Sequence, residues 1–399
     1  MIVIPSGNIY QQFISTLYAE SFFVELDSTG VIYLYLKLLP KNIISIMNGV
    51  QIELVIRNPG IMQNSITLYI KDVYEAPIYI TKTSKKFFPS IEKLSKFLVN
   101  EKIRIVILDQ VFQCVYANDY DIMIPNKNLE KWHDELMKES TVPIFDFDNP
   151  KEDDRTGYMI RIHKKKADKF VRYTNLGTKR TWGVDPYTIS TNRDDSWFNI
   201  ENYIKKGTIG YFQEQMLKNF LGQYFKPNKQ LFYSIKTNNR EELTDFIIVS
   251  NGMIILIESK TDSAFDKYPA KANAKEKSIT SLIHKAAEQL YNAKKIIKEN
   301  KKVIDNVDFV NSCNNCDIIF SLCLLSDISL VNTGSLKESL KIYDKLDIPL
   351  ILSVETFIEI ILHSKTQCEI CKMLINIYRD VMFNKDLEIP MLAGIEYQN

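Results

Sequence analysis

"TDFIIVSNGMIILIESK", Thr244 to Lys260, is one long apolar run interrupted at its middle and closed at both ends by ionisable groups. Asn-Gly flanked by β-branched residues marks a two-residue hairpin of type I′, because that turn needs positive φ at both central positions and Asn and Gly tolerate it best. With Asn251 and Gly252 as the turn, Ser250 faces Met253. Stepping outward along both strands then brings Asp245 opposite Glu258. Period-two alternation puts Ile254, Leu256, Glu258 and Lys260 on one face, with Val249, Ile247 and Asp245 across from the first three.

An apolar face that ends in two opposed carboxylates needs a neutralising partner. Like charges directly opposite cost up to ~1 kcal/mol on an exposed sheet, and more when buried. A divalent cation held by Asp245 and Glu258 removes the conflict, and an oxygen-only ligand set with open positions suits Mg2+ or Mn2+. The backbone carbonyl of Ser259 is a further candidate ligand. Lys260, on the same face, then places an ammonium where it can hold a water or offset charge on a phosphate. Together these are the groups that metal-assisted phosphodiester hydrolysis requires. The plainer alternative is a strand-end salt bridge, worth little at a surface.

The surroundings of the hairpin read as an α/β unit. "IGYFQEQMLKNFLGQYF" has helical spacing, "QLFYSIKT" precedes the hairpin as a strand, and "SITSLIHKAAEQLYNAKKIIKEN" follows it as a helix. "DIIFSLCLL" and "IPLILSV" are buried-type strands separated by helical sequence. The expected arrangement is a mixed sheet flanked by helices in the order αβββαβ, spanning 205–385.

Residues 1–140 predict a β-rich α+β domain, with strands in "GVIYLYLKL", "GVQIELVIR", "SITLYIKDV", "PIYITKT", "KIRIVILD" and "CVYAND" and helices in "SIEKLSKFLVN" and "NKNLEKWHDELMKES". It carries no recognisable chemistry and suits regulation, assembly or partner contact. Residues 141–204, rich in Pro, Asn, Asp and Thr, are expected to connect the two.

Here the residues carry a resemblance. "TDFIIVSNGMIILIESK" is similar to the D-x(n)-E-x-K signature of PD-(D/E)XK nucleases, the restriction-endonuclease-like superfamily, and the αβββαβ order resembles that superfamily's core over about a third of the chain. "GTIGYFQEQML" is similar to the first helix of the Mrr-like and NERD-type members, which implies an auxiliary acidic residue at Glu214. The helix after the hairpin often carries a glutamine in this superfamily, which implies Gln289. Tyr291 follows too closely for the Q-x-x-x-Y of the RecB-like branch, and Thr244 stands where the superfamily usually has proline. By resemblance, Asp245, Glu258, Lys260, Glu214 and Gln289 form the catalytic set, and Asp245, Glu258 and Ser259 hold Mg2+ or Mn2+. The implied protein is a DNA endonuclease of the restriction or anti-phage kind, including the Shedu type, acting on phage or other foreign DNA as a homodimer or larger homo-oligomer. A catalytically silent nucleic-acid-binding or scaffold protein and a repair or RNA nuclease are the other readings.

Charge does not make the chain a globally basic nucleic-acid binder: 50 Lys and Arg stand against 49 Asp and Glu. The charge is local instead. Between Arg161 and Arg180 eight basic residues face a single acidic one, and Lys164, Lys165, Lys166, Lys169 and Arg172 are candidate phosphate contacts, with a solvated face as the alternative. No apolar run reaches the ~20 residues of a membrane span, and the start lacks a signal-peptide pattern, so a cytoplasmic protein without membrane contact is expected. Six cysteines fit reduced thiols. "CNNC" (Cys313, Cys316) and "CEIC" (Cys368, Cys371) have the paired form of zinc ligands but lie roughly fifty residues apart, too far for the usual ribbon. Phosphate-cradling, dinucleotide and serine-elbow fingerprints are absent from the sequence.

Overall fold

A computed structural model describes residues 18–26, 32–47, 52–57, 65–70, 78–82, 102–112, 114–123, 157–164, 209–261, 272–299, 301–326 and 347–383, together with 328, 331, 336 and 340–344. The described chain is a mixed α/β protein with two sheets.

The first sheet has eight strands: β1 (Ser21–Leu26), β2 (Ile32–Lys37), β3 (Ile52–Arg57), β4 (Ser65–Ile70), β5 (Ile78–Lys82), β6 (Lys102–Leu108), β7 (Cys114–Met123) and β8 (Gly157–Lys164). Helix α1 (Pro40–Met47) follows β2. The order is β1-β2-β6-β7-β8-β3-β4-β5, antiparallel except where β2 and β6 run parallel. All six expected strand segments are present. Two strands were not anticipated from the sequence. β1 adds the edge "SFFVEL", and β8, "GYMIRIHK", lies inside the segment expected to be a connector and bridges β7 and β3. The two expected helices of the N-terminal part lie outside the described residues.

The second sheet is built by α2 (Ile209–Leu221), β9 (Leu231–Tyr233), β10 (Phe246–Ser250), β11 (Met253–Lys260), α3 (Ala272–Glu299), α4 (Val307–Ser312), β12 (Ile318–Leu325), β13 (Leu350–Ser353), α5 (Val354–His363) and α6 (Gln367–Phe383). Strand order is β13-β12-β11-β10-β9. β9, β10 and β11 are antiparallel neighbours, whereas β11, β12 and β13 run parallel. A parallel step between adjacent strands requires a crossover, and α3 supplies it between β11 and β12.

The hairpin forms as its residues dictate. Asn251 (φ 52°) and Gly252 (φ 75°) are both left-handed, and the ladder runs from Ser250↔Met253 to Phe246↔Ile257. The sheet is buried on both faces, which explains why both strands are almost continuously apolar. Phe246, Ile248, Met253, Ile255 and Ile257 pack in one cluster with α2, α5 and α6, while Ile247, Val249, Ile254 and Leu256 pack in the other with Ile279, Ile283, Ala286, Leu290 and Ala293 of α3. The expected face assignment is therefore the observed one.

The two halves share a core. Ala19, Leu39 and Val111, from segments flanking strands of the N-terminal sheet, belong to the same buried cluster as Leu217, Phe220, Phe357 and Ile361. A buried polar set accompanies them. Glu20 accepts hydrogen bonds from Leu39 N and Asn42 Nδ2, both at 2.7 Å; Gln110 Nε2 donates to the Ala19 carbonyl at 2.7 Å; and Ala19 N donates to Glu359 of α5 at 3.3 Å.

Candidate metal and phosphodiester site

At the open end of the hairpin, just beyond the last ladder pair, Asp245 sits across from Glu258. Asp245 Oδ2 accepts a hydrogen bond from the Ser259 backbone N–H at 2.7 Å. Glu258 is only 1% exposed. Its Oε1 takes the Lys260 ammonium at 2.5 Å, and its Oε2 lies 2.9 Å from the Thr244 hydroxyl. That hydroxyl also reaches the Ile257 carbonyl at 2.6 Å. The Lys260–Glu258 pair is thus not the surface salt bridge of the plainer sequence reading, since its acidic member is buried.

Burial first, and the charge of Glu258 second, push the Asp245 carboxyl up to about 8; the Ser259 N–H and Lys260 pull the other way and lose. Burial alone would lower the Lys260 ammonium, but Glu258 and Asp245 outweigh it and hold it above the ordinary lysine value. Glu214 is half-buried and raised by burial, then by Glu242 and Glu258. Two carboxyl groups are therefore held protonated beyond their usual range at one strand end. That is the electrostatic condition a cation relieves.

The fold brings α2 to this place. Its first turn lies against the residue after Lys260: a Cβ on Gly210 would meet Thr261 Oγ1 at 3.5 Å. Glu214 thereby joins the field of Glu258 and Lys260. The residue before it goes deeper. Gln213 is 1% exposed, its Nε2 donates to Ser259 Oγ at 2.7 Å, and it approaches the Lys260 carbonyl at 3.5 Å. Cys323, fully buried, is the parallel ladder partner of Glu258, and its thiol is pushed up by burial and by the neighbouring carboxylates.

Of the residues the sequence points to, Asp245, Glu258, Ser259, Lys260 and Glu214 come together. Gln289 does not. It lies on the exposed side of α3 and makes no hydrogen bond to the described site residues, because the buried stripe runs through Ile283, Ala286, Ala287 and Leu290 instead. Lys164 ends β8; Lys165, Lys166, Lys169 and Arg172 lie outside the described residues. The two cysteine pairs sit on opposite faces of the second sheet, Cys313 in the cluster under α3 and Cys371 in that under α5 and α6, so they do not form one four-thiolate cage.

Sequence reasoning passed over Gln213 and treated Thr244 only as a substitute for proline. A signal existed for Gln213: a lone polar side chain on the apolar stripe shared with Met216, Leu217 and Phe220.

The donor set fits a hard cation sparingly. Among the described residues no three His, Cys, Asp or Glu side chains gather as a metal cage. Two carboxylates and a backbone carbonyl match Mg2+ or Mn2+, ions that keep several waters and take one or two carboxylates, rather than structural zinc with its four protein ligands. No helix among the described residues is long and apolar enough to cross a membrane. No protein-family model, curated protein or solved structure matches the chain.

Proposed function

We propose that the chain is a metal-dependent nuclease of the restriction-endonuclease-like superfamily, hydrolysing phosphodiester bonds in DNA. One observation carries the reading: the Asn251–Gly252 hairpin delivers Asp245, Glu258 and Lys260 to a single buried strand end, where burial and mutual repulsion hold Asp245 protonated to about 8. The order α2, three antiparallel strands, α3 and a parallel strand agrees with it.

In this reading Asp245 and Glu258, with the Ser259 carbonyl, hold Mg2+ or Mn2+. When bound, the ion polarises a phosphoryl oxygen and lowers the pKa of a coordinated water. The chain's own residues do the rest. Ser259 N–H orients Asp245, and Thr244 orients Glu258. Lys260 supplies the positive charge on the same edge, offsetting charge that grows on the phosphate. Glu214 is the auxiliary acidic group. Gln289, exposed on α3, has no part in it.

DNA from phage or another foreign source fits a nuclease carrying a large additional sheet, and cutting both strands favours a homodimer or larger assembly. Sedimentation at the 46.4 kDa of one chain would count against that assembly. The reading itself is tested by incubating plasmid, linear duplex, single-stranded DNA and RNA with the protein and Mg2+, Mn2+ or EDTA. Cleavage is expected with either ion and lost in EDTA, in Asp245→Ala and in Lys260→Ala; undiminished cutting by both variants overturns it.

A second reading rests on a specific feature. Both Glu258 oxygens are already engaged, by Lys260 and by Thr244, as a self-neutralised, catalytically silent nucleic-acid-binding protein would have them. DNA binding that is unchanged by Mg2+ and by Asp245→Ala, without cleavage, would select it.

A further inference from the structure

The amide of Gln213 is a buried polar group on a helix whose other inward positions are apolar. Its neighbours Phe212, Met216 and Leu217 are buried without polar side chains. A buried amide is costly unless hydrogen-bonded. Its Nε2 is bonded, at 2.7 Å, to the hydroxyl of Ser259.

Ser259 is the hinge of the candidate site. Its N–H holds Asp245 Oδ2 at 2.7 Å, its carbonyl is the candidate third ligand, and its chain neighbours are Glu258 and Lys260. Its own side chain points away from the carboxylates, as alternation along β11 requires, toward α2. Thr244 steadies the opposite side of the strand through Glu258. The strand end is therefore pinned from both faces, by Thr244 on one and by Gln213 on the other. Among the described residues, Gln213 is the side chain on that face that bonds Ser259, adding to the β11–β12 ladder in fixing where the Ser259 peptide, and hence Asp245, stands.

We propose that Gln213 is a positioning residue for cation binding: its amide clamps Ser259 so that the peptide orienting Asp245 is set before the ion arrives. The inference rests on the nuclease reading, since it assigns Gln213 a role toward the same two carboxylates. Glu214, next in sequence, lies in the electrostatic field of those carboxylates; Gln213 acts through the Ser259 hydroxyl, with a longer approach to the Lys260 carbonyl. Groups that orient metal-binding side chains typically change affinity about 10- to 100-fold when removed.

The test uses Mn2+ alone as probe, with binding to the full chain followed by titration calorimetry or by the electron paramagnetic resonance signal of free Mn2+. Wild type, Asp245→Asn, Gln213→Met, Ser259→Ala and the Gln213→Met/Ser259→Ala double variant are compared. Methionine keeps volume and removes the donor; alanine at 259 keeps the backbone N–H and carbonyl. The expected result is Mn2+ affinity about tenfold weaker in Gln213→Met and in Ser259→Ala, no further loss in the double variant, binding lost in Asp245→Asn, and a metal-free melting temperature lowered in Ser259→Ala, where the buried Gln213 amide loses its partner, and less lowered in the double variant. Where Gln213→Met does not fold, Ser259→Ala alone decides, since it cuts the same hydrogen bond by removing a single hydroxyl. Wild-type affinity in Gln213→Met and Ser259→Ala, with binding lost in Asp245→Asn, overturns the positioning role and leaves the nuclease reading standing. Equal Mn2+ behaviour of wild type and Asp245→Asn overturns the nuclease reading, and this inference with it.

Discussion

Asp245 is held in a state an aspartate avoids. Burial and Glu258 raise its carboxyl to about 8 in the folded chain, against about 3.9 when unfolded. Folding therefore retains a proton the unfolded chain releases, and the linked stability is fully present below pH about 4 and is lost as pH rises toward 8. In metal-free buffer the melting temperature should fall across that window. Asp245→Asn should flatten the profile and raise the melting temperature at pH 8, because it removes the repelling charge while the neutral form at low pH is little changed. A pH profile of Asp245→Asn that parallels wild type would show that Asp245 is not the group responsible. Its neighbour Thr244 makes the complementary case. Thr244→Val keeps shape and removes the hydroxyl that reaches Glu258 and the Ile257 carbonyl; leaving those buried acceptors unpaired should cost about 1–3 kcal/mol in urea denaturation.

At the scale of elements, the β10–β11 hairpin sets everything downstream, because a slip of one residue would send Glu258 and Lys260 to the opposite face. Gly252 sits at φ 75° with room for a Cβ, which would meet the Asn315 carbonyl oxygen at an ordinary van der Waals distance of 3.9 Å. Gly252→Ala should thus meet only the backbone penalty of a left-handed L-residue, about 1–2 kcal/mol, visible as a lowered urea midpoint. This hairpin was legible because Asn-Gly specifies turn type and turn type specifies register. Asp245, Glu258 and Lys260 followed from counting. Other elements were hidden for reasons as physical. β8 carries its period-two pattern of Tyr158, Ile160 and Ile162 inside a stretch dominated by charge, Asn and Asp, and its pairing with β3 spans about a hundred residues of sequence. Gln289 was implied by the resemblance alone; the buried side of α3 runs through Ile283, Ala286, Ala287 and Leu290, which leaves Gln289 exposed. Gln213 showed in the pattern only as a lone polar residue on the apolar stripe of α2, and its role became readable once its partner, Ser259, was seen.

On the scale of the whole molecule, α2 is where the two halves meet. It packs against α1 of the first sheet, shares a core with Ala19, Leu39 and Val111, and carries Gln213 and Glu214 to the strand end. The carboxylate of Glu20 is tied into the same junction, with burial raising it and the hydrogen bonds from Leu39 and Asn42, then Lys41 and Lys37, opposing the rise. Cutting the chain between the sheets would bare Leu217, Phe220 and Leu221, and apolar surface of that kind costs about 25 cal/mol per Å2 when returned to water. The intact protein should accordingly unfold in one cooperative transition, and residues 205–385 expressed alone should melt at a lower temperature and bind a hydrophobic dye. Within the junction, Glu20→Ala should cost about 3 kcal/mol, because Leu39 N and Asn42 Nδ2 lose the buried carboxylate oxygen they share; Glu20→Gln, which keeps an acceptor and discards the buried charge, should cost less. Calorimetry of both variants measures the coupling directly: if Glu20→Ala split the single transition into two, the shared core would hold the halves together only with the aid of this carboxylate, whereas one shifted transition would locate the coupling in the apolar contacts of α2.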